Sequence, residues 1–179
     1  MPRAPLPHRL RRALLGVAVA LGALTLTGAL LWSQAPKWGI PYARYTNDAG
    51  SPCRTTWTGY VCSPMTVADL TERTGLVLPE GTVVERAEYV STHDFALTAR
   101  LLLPEPERRP DVGEQLEELY GPCQRDQPNP LPSDWSGRCV RTSDGKRVEG
   151  QPPPTTWRVA TGTPPGTEQL ALDLDISSR

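Results

Sequence analysis

Chemistry near neutral pH usually needs a group that can gain and lose a proton there, and the chain has two histidines, His8 and His93. His8 lies among the arginines of a basic N-terminal head, which leaves His93, flanked by Thr92 and Asp94. A histidine beside a carboxylate is the smallest unit that can act as a general base or activate a hydroxyl. Sequence neighbours rarely orient one another for that task, and Ser91-Thr92-His93-Asp94 is made of the polar residues that tight turns use. His93 and Asp94 are therefore read as turn residues first and as contacts for a partner second, and no catalytic residue is assigned.

The remaining chemistries are narrowed in the same way. Acidic residues are plentiful, so paired carboxylates for glycoside hydrolysis are conceivable, yet no pair is singled out by spacing. Asp173 and Asp175 share one face of a strand pattern and are candidates for a cation, although alternating exposed acids on a half-buried strand explain them more simply. There is no glycine-rich nucleotide loop, no P-loop and no nucleophile elbow. The four cysteines, Cys53, Cys62, Cys123 and Cys139, contain no C-x-x-C, which argues against zinc and against a redox pair. No cofactor or metal is implied.

Four cysteines are better read as two disulfides, of which three connectivities exist. Cys53 with Cys62 and Cys123 with Cys139 close two compact local loops. The first, CRTTWTGYVC, has two β-rich arms around a turn near Thr58-Gly59; the second staples a proline-rich stretch with little means of holding itself. Disulfides in turn imply an oxidising compartment.

Export has its own signal. Residues 13–32, ALLGVAVALGALTLTGALLW, carry no charge and match the length of a bilayer-spanning helix. Arg3, Arg9, Arg11 and Arg12 precede it, and positive flanks are retained in the cytoplasm, so the expected topology is a cytoplasmic head (1–12), a transmembrane segment (13–32), an extracytoplasmic stalk (33–50) and a disulfide-stapled domain (51–179). The apolar run is longer than that of most signal peptides, and Pro36 obstructs cleavage after Ala35, so a retained anchor is expected; secretion after cleavage following Ala29 or Ala35 is the alternative. Taking the four head arginines from 19 Lys plus Arg leaves 15 cations against 20 acids, a formal −5 beyond the membrane segment, which disfavours a nucleic-acid partner.

The elements follow from pattern. Thr66 and Asp69 open a short helix through VADLTER that Gly75 ends, and Pro79-Glu80-Gly81 is a turn. TVVERAEYV and FALTARLLL read as a hairpin, the second strand placing Phe95, Leu97, Ala99, Leu101 and Leu103 on one face. A second helix spans Val112 to Tyr120, with Asp111 as N-cap, Leu116 and Leu119 inward and Gly121 as stop. A turn at Ser143-Asp144-Gly145 and a spacer at Pro152-Pro153-Pro154 lead to the strands TTWRVAT and QLALDLDIS. The expected fold is α+β: an N-terminal transmembrane helix, then an antiparallel sheet of about four to six strands with two short helices and two disulfides.

The order of apolar anchor, AGSPC, TGYVC, short helix, LPEGT, THD-centred hairpin and late cysteine pair resembles uncharacterised membrane-associated proteins of actinobacteria. The resemblance implies an exported compartment and no mechanism. Two function classes remain: a noncatalytic, membrane-anchored module that binds a protein or cell-wall polymer of the envelope, and an extracytoplasmic hydrolase using dispersed carboxylates. The first is the favoured expectation.

Overall fold

A computed structural model of the chain describes residues 8–34, 38, 40–108, 111–124, 126–143 and 155–178. The turn and spacer expected over 144–145 and 152–154 lie outside them, as do Ala35 and Pro36. The apolar segment forms α1, His8–Gln34, extending a few residues beyond the uncharged run at each end. It is long and apolar enough to cross a bilayer, a property shared by anchors and signal sequences, and its side chains from Arg11 to Ser33 are exposed.

Among the described residues eight strands follow: β1 Arg44–Thr46, β2 Pro52–Thr55, β3 Tyr60–Cys62, β4 Val83–Ser91, β5 Phe95–Leu103, β6 Ser136–Thr142, β7 Thr155–Thr163 and β8 Leu170–Ser178. They form one antiparallel sheet in the order β1-β2-β3-β4-β5-β8-β7-β6. The first five strands make one meander. The chain then crosses to the far edge and returns as a second meander, so the joining pair β5–β8 forms between distant parts of the sequence. Two strands exceed the expected four to six. Residues 33–50, expected to form a stalk, contain β1, and the second disulfide loop runs into β6. Both are hard to read because a three-residue edge strand and a Gly-Arg-Cys segment carry no period-two apolar signal.

Helices α2, Val67–Thr74, and α3, Val112–Tyr120, cover one face of the sheet. Their Leu70, Leu116 and Tyr120 pack with Leu97, Leu101, Leu103, Val159, Leu172, Leu174 and Ile176. Alternation along β5 and β8 places those strand residues together, as their spacing predicts. Thr66 caps α2 by accepting from Asp69 N at 3.2 Å, and Gly75 ends it at φ 74°, a left-handed value that favours glycine. At α3 the N-cap residue is the expected one, and one of the two expected inward residues is not inward. Asp111 occupies the N-cap position without a side-chain capping bond, its backbone being already helical, and Leu119 is 41% exposed, because the inward stripe of so short a helix is filled by Val112, Leu116 and Tyr120.

Both disulfides pair locally, Cys53–Cys62 and Cys123–Cys139. Cys53 and Cys62 are register partners on β2 and β3, buried in the core, whereas Cys123–Cys139 ties the segment after α3 to β6. At the C-terminal end of α3, the Tyr120 hydroxyl donates to Thr74 O at 3.0 Å and Trp157 Nε1 donates to Tyr120 O at 3.3 Å. Burial pushes the Tyr120 phenol up to about 12, so it stays neutral throughout the physiological range.

One buried carboxylate joins three parts of this face. Asp69, 1% exposed, accepts from Asn47 Nδ2 at 2.9 Å and from Arg73 Nε at 2.7 Å, and the Arg73 guanidinium lies 3.6 Å over the Tyr89 ring of β4. Burial acts to raise the Asp69 pKa, but the Ser51 hydroxyl, the Asn47 amide and Arg73 outweigh it and hold the carboxyl below its ordinary 3.8. A carboxyl depressed in the folded state adds stability above its unfolded pKa, which is lost as pH falls through the folded value. Asp69→Asn is expected to lower stability by about 2–3 kcal/mol at pH 7, by analogy with other charge-assisted buried bonds. The difference from wild type should shrink below about pH 4, where the unfolded carboxyl protonates; urea titrations across pH check both statements.

Candidate functional site

The face opposite the helices is built from the alternate residues of the same strands. At its β6–β7 end, Leu131 and Trp135 pack onto Val140 and Ala160 and close a small second core. From β4 to β1 most of its side chains are exposed. There the register lays charged and polar side chains in rows.

Most of those charges are matched within the sheet. Arg86 and Arg100 are cross-strand partners, and both reach Asp173 on β8: Arg100 Nε and Nη2 donate to Oδ2 at 2.9 and 2.7 Å, and Arg86 Nη2 at 3.4 Å. Asp173 is 9% exposed, so it is not the exposed acid that strand alternation suggests. Asp175 accepts from Arg158 Nη2 at 3.0 Å across the β7–β8 register. The two carboxylates offered for a cation are thus each held by arginine, and among the described residues no three His, Cys, Asp or Glu side chains converge as a metal site would require.

The exception lies at the other end of the face. Arg44 on β1 and Arg54 on β2 are direct register partners, both exposed, and neither forms an ion pair among the described residues. Like charges placed opposite each other in a sheet are unfavourable unless something neutralises them. They line an open concavity of about 680 Å³ together with Thr46, Pro52, Val61 and Glu88. Arg54 faces the half-buried Val61, and Glu88 stands on β4, one strand further in. The arrangement offers two guanidinium groups, an apolar floor and one carboxylate at the rim, which suits an anionic group presented on a larger ligand. Among the described residues that line it, no hydroxyl is hydrogen-bonded to a carboxylate or histidine.

His93 and Asp94 are at the exposed tip of the β4–β5 hairpin. Thr92 turns the chain by donating to Asp94 O from its backbone N at 2.7 Å and from its hydroxyl at 3.1 Å. His93 forms no ion pair with Asp94, consistent with turn residues. The β2–β3 tip lies beside this one, since Tyr60 and Ser91 are register partners. Contact is so close that a Cβ on Gly59 would collide with the Ser91 carbonyl. Tyr42, bonded through its N to Thr55 O at 2.9 Å, belongs to the same end of the sheet. His93 and Asp94 are therefore not grouped with Arg44 and Arg54 on the open face but stand at the end of the sheet where the chain enters from α1.

The arginine pair was outside the reach of sequence reasoning. Arg44 falls in the presumed stalk and Arg54 inside the first cysteine loop, and only the β1–β2 register brings them together. The chain matches no protein-family model, and neither a curated protein nor a solved structure is similar to it.

Gly59→Ala is expected to cost about 1–3 kcal/mol, because backbone on the neighbouring tip must move to admit one methyl group. Gly113→Ala on α3, where an added Cβ meets nothing within 4 Å, should leave stability equal or higher. Thermal unfolding of the two variants beside wild type checks the pair.

Proposed function

We propose that this chain is a noncatalytic binding module of the cell envelope, anchored by α1 with its N-terminus in the cytoplasm and its sheet domain outside the cytoplasmic membrane. The uncovered sheet face receives an anionic group of an envelope protein or cell-wall polymer. One observation carries the binding reading: Arg44 and Arg54 are juxtaposed and neither forms an ion pair among the described residues, while the other arginine pair on that face, Arg86 and Arg100, converges on Asp173. A fold that neutralises one cross-strand arginine pair and leaves another exposed retains binding capacity at the second. Support for the compartment comes from the apolar helix, the basic residues before it and the two disulfides.

Membrane fractionation with N-terminal sequencing tests the anchor: the intact chain should be in the membrane fraction, and a soluble product starting after Ala29 or Ala35 would establish secretion instead. For the binding site, full-length chain in detergent is incubated with solubilised envelope and with purified wall polymer, as wild type and as Arg44→Glu/Arg54→Glu. Wild type should retain a component that elutes with added salt and that the double variant loses, by about tenfold or more for each charge-assisted contact removed. A component held equally by both proteins overturns the site. Turnover in a hydrolase screen, abolished by single acidic substitutions, would replace the binding reading with the hydrolase.

A further inference from the structure

The end of the sheet nearest α1 presents large aromatic side chains to solvent. Trp57, at the β2–β3 tip, is 78% exposed and Tyr42 62% exposed. They are held together, with the indole Nε1 donating to the Tyr42 hydroxyl at 3.1 Å and the rings meeting edge to face at 6.3 Å. Tyr42 has φ 65°, a left-handed conformation that a bulky side chain adopts only at an energetic cost. The backbone is thus held in a strained state at a residue whose side chain the fold leaves mostly exposed. Ile40 beside it is also exposed.

Neither feature has a use within the domain. Both suit the interfacial layer of a bilayer, where Trp and Tyr bury a ring while their N–H or O–H stays hydrated. The route of the chain supplies the occupant. Six residues lead from Gln34, the last of α1, to Ile40, and a chain of that length spans at most about 20 Å. With α1 in a membrane, this end of the sheet is confined to the neighbourhood of the same bilayer.

We infer that the Tyr42–Trp57 pair is a second membrane contact, seating the anchor end of the sheet in the interfacial layer of the bilayer that α1 crosses. The inference rests on the anchoring stated above and is independent of the arginine pair. Seating at this point, together with α1, restricts the rotation of the domain and directs the uncovered face sideways along the membrane rather than into it. His93 and Asp94, on the adjoining tip, then stand at headgroup level. The contact is aromatic rather than ionic, so it should form on zwitterionic lipid and survive high salt.

Full-length chain is reconstituted into phosphatidylcholine vesicles, with and without an anionic lipid, and compared with Trp57→Phe. The fluorescence difference between the two proteins isolates Trp57 from the other tryptophans. The expected difference spectrum is shifted to the blue, loses most of its intensity when the lipid chains are brominated, is little quenched by aqueous iodide, and is the same in both lipids. Tyr42→Gly should weaken the lipid quenching while the melting temperature stays at or above that of wild type, since glycine relieves the backbone. A chain that sediments with the vesicles but whose Trp57 emits as a hydrated indole, quenched by iodide and not by brominated lipid, overturns this inference and leaves the anchor intact. Seating that requires the anionic lipid and is abolished by salt also overturns it. A chain that does not sediment with the vesicles overturns the anchoring as well.

Discussion

The buried carboxylate of Asp69 is the interaction on which the arrangement of the first half of the sheet depends. An ionised group at 1% exposure is tolerated only when its oxygens are bonded, and here the bonds come from different parts of the chain. Asn47 brings the β1–β2 turn to it, Arg73 brings the last turn of α2, and Thr66 joins that helix's start to the same turn by donating to Ala49 O at 2.7 Å. Arg73 then carries the connection onto Tyr89, whose ring stands in a series running Tyr45, Tyr60, Tyr89 and Phe95 across four strands. The three-residue strands β1 and β3 bury too little apolar surface to hold their own register. They are positioned by Asp69 on one side and by the Cys53–Cys62 bridge within the sheet.

That dependence reaches the functional surface. Arg44 and Arg54 are adjacent only because β1 is paired in one register with β2, and β1 is kept there by the turn that Asn47 forms with Ser51 and Asp69. Slipping β1 by one residue would move Arg44 to the helix-covered face and put Tyr45 outside. The open face can bear its unmatched pair because the rest of the sheet is secured elsewhere, by the β5–β8 pairing and the apolar core under α2 and α3.

Sequence patterns revealed the elements that carry their own periodicity. FALTARLLL and QLALDLDIS alternate strictly enough to declare both strand and face, and Thr66, Asp69 and Gly75 mark both ends of α2. The cysteines were legible because short loops close at low entropic cost and both loops were rich in turn residues. What was illegible depended on tertiary pairing. β1 is three residues with one aromatic, Asp173 looks like any alternating acid until Arg100 and Arg86 fold over it, and Leu119 fits an apolar stripe that α3 is too short to bury. The candidate site belongs to this second class, since its two arginines are ten positions apart in segments with no shared pattern.

The contrast between the two arginine pairs also bears on what kind of ligand the open face would accept. Arg86 and Arg100 show how the sheet treats guanidinium groups that are part of its own structure: a carboxylate is placed beside Arg100 on the neighbouring strand, within reach of both, and that carboxylate is nearly inaccessible while Arg86 stays largely exposed. Arg44 has no such strand on its outer side, because β1 is the edge of the sheet, and the residue beside Arg54 on β3 is Val61 rather than an acid. An added strand or polymer lying along that edge would occupy, relative to β1, the place that β8 occupies relative to β5. An acidic group on it would then do for Arg44 and Arg54 what Asp173 does for Arg100. Among the described residues no strand pairs with the outer side of β1, and a sheet edge of this kind can take an added strand. Recognition of this kind would combine main-chain pairing with an ionic clasp, and neither demands the deep pocket or the proton-transfer groups of an enzyme.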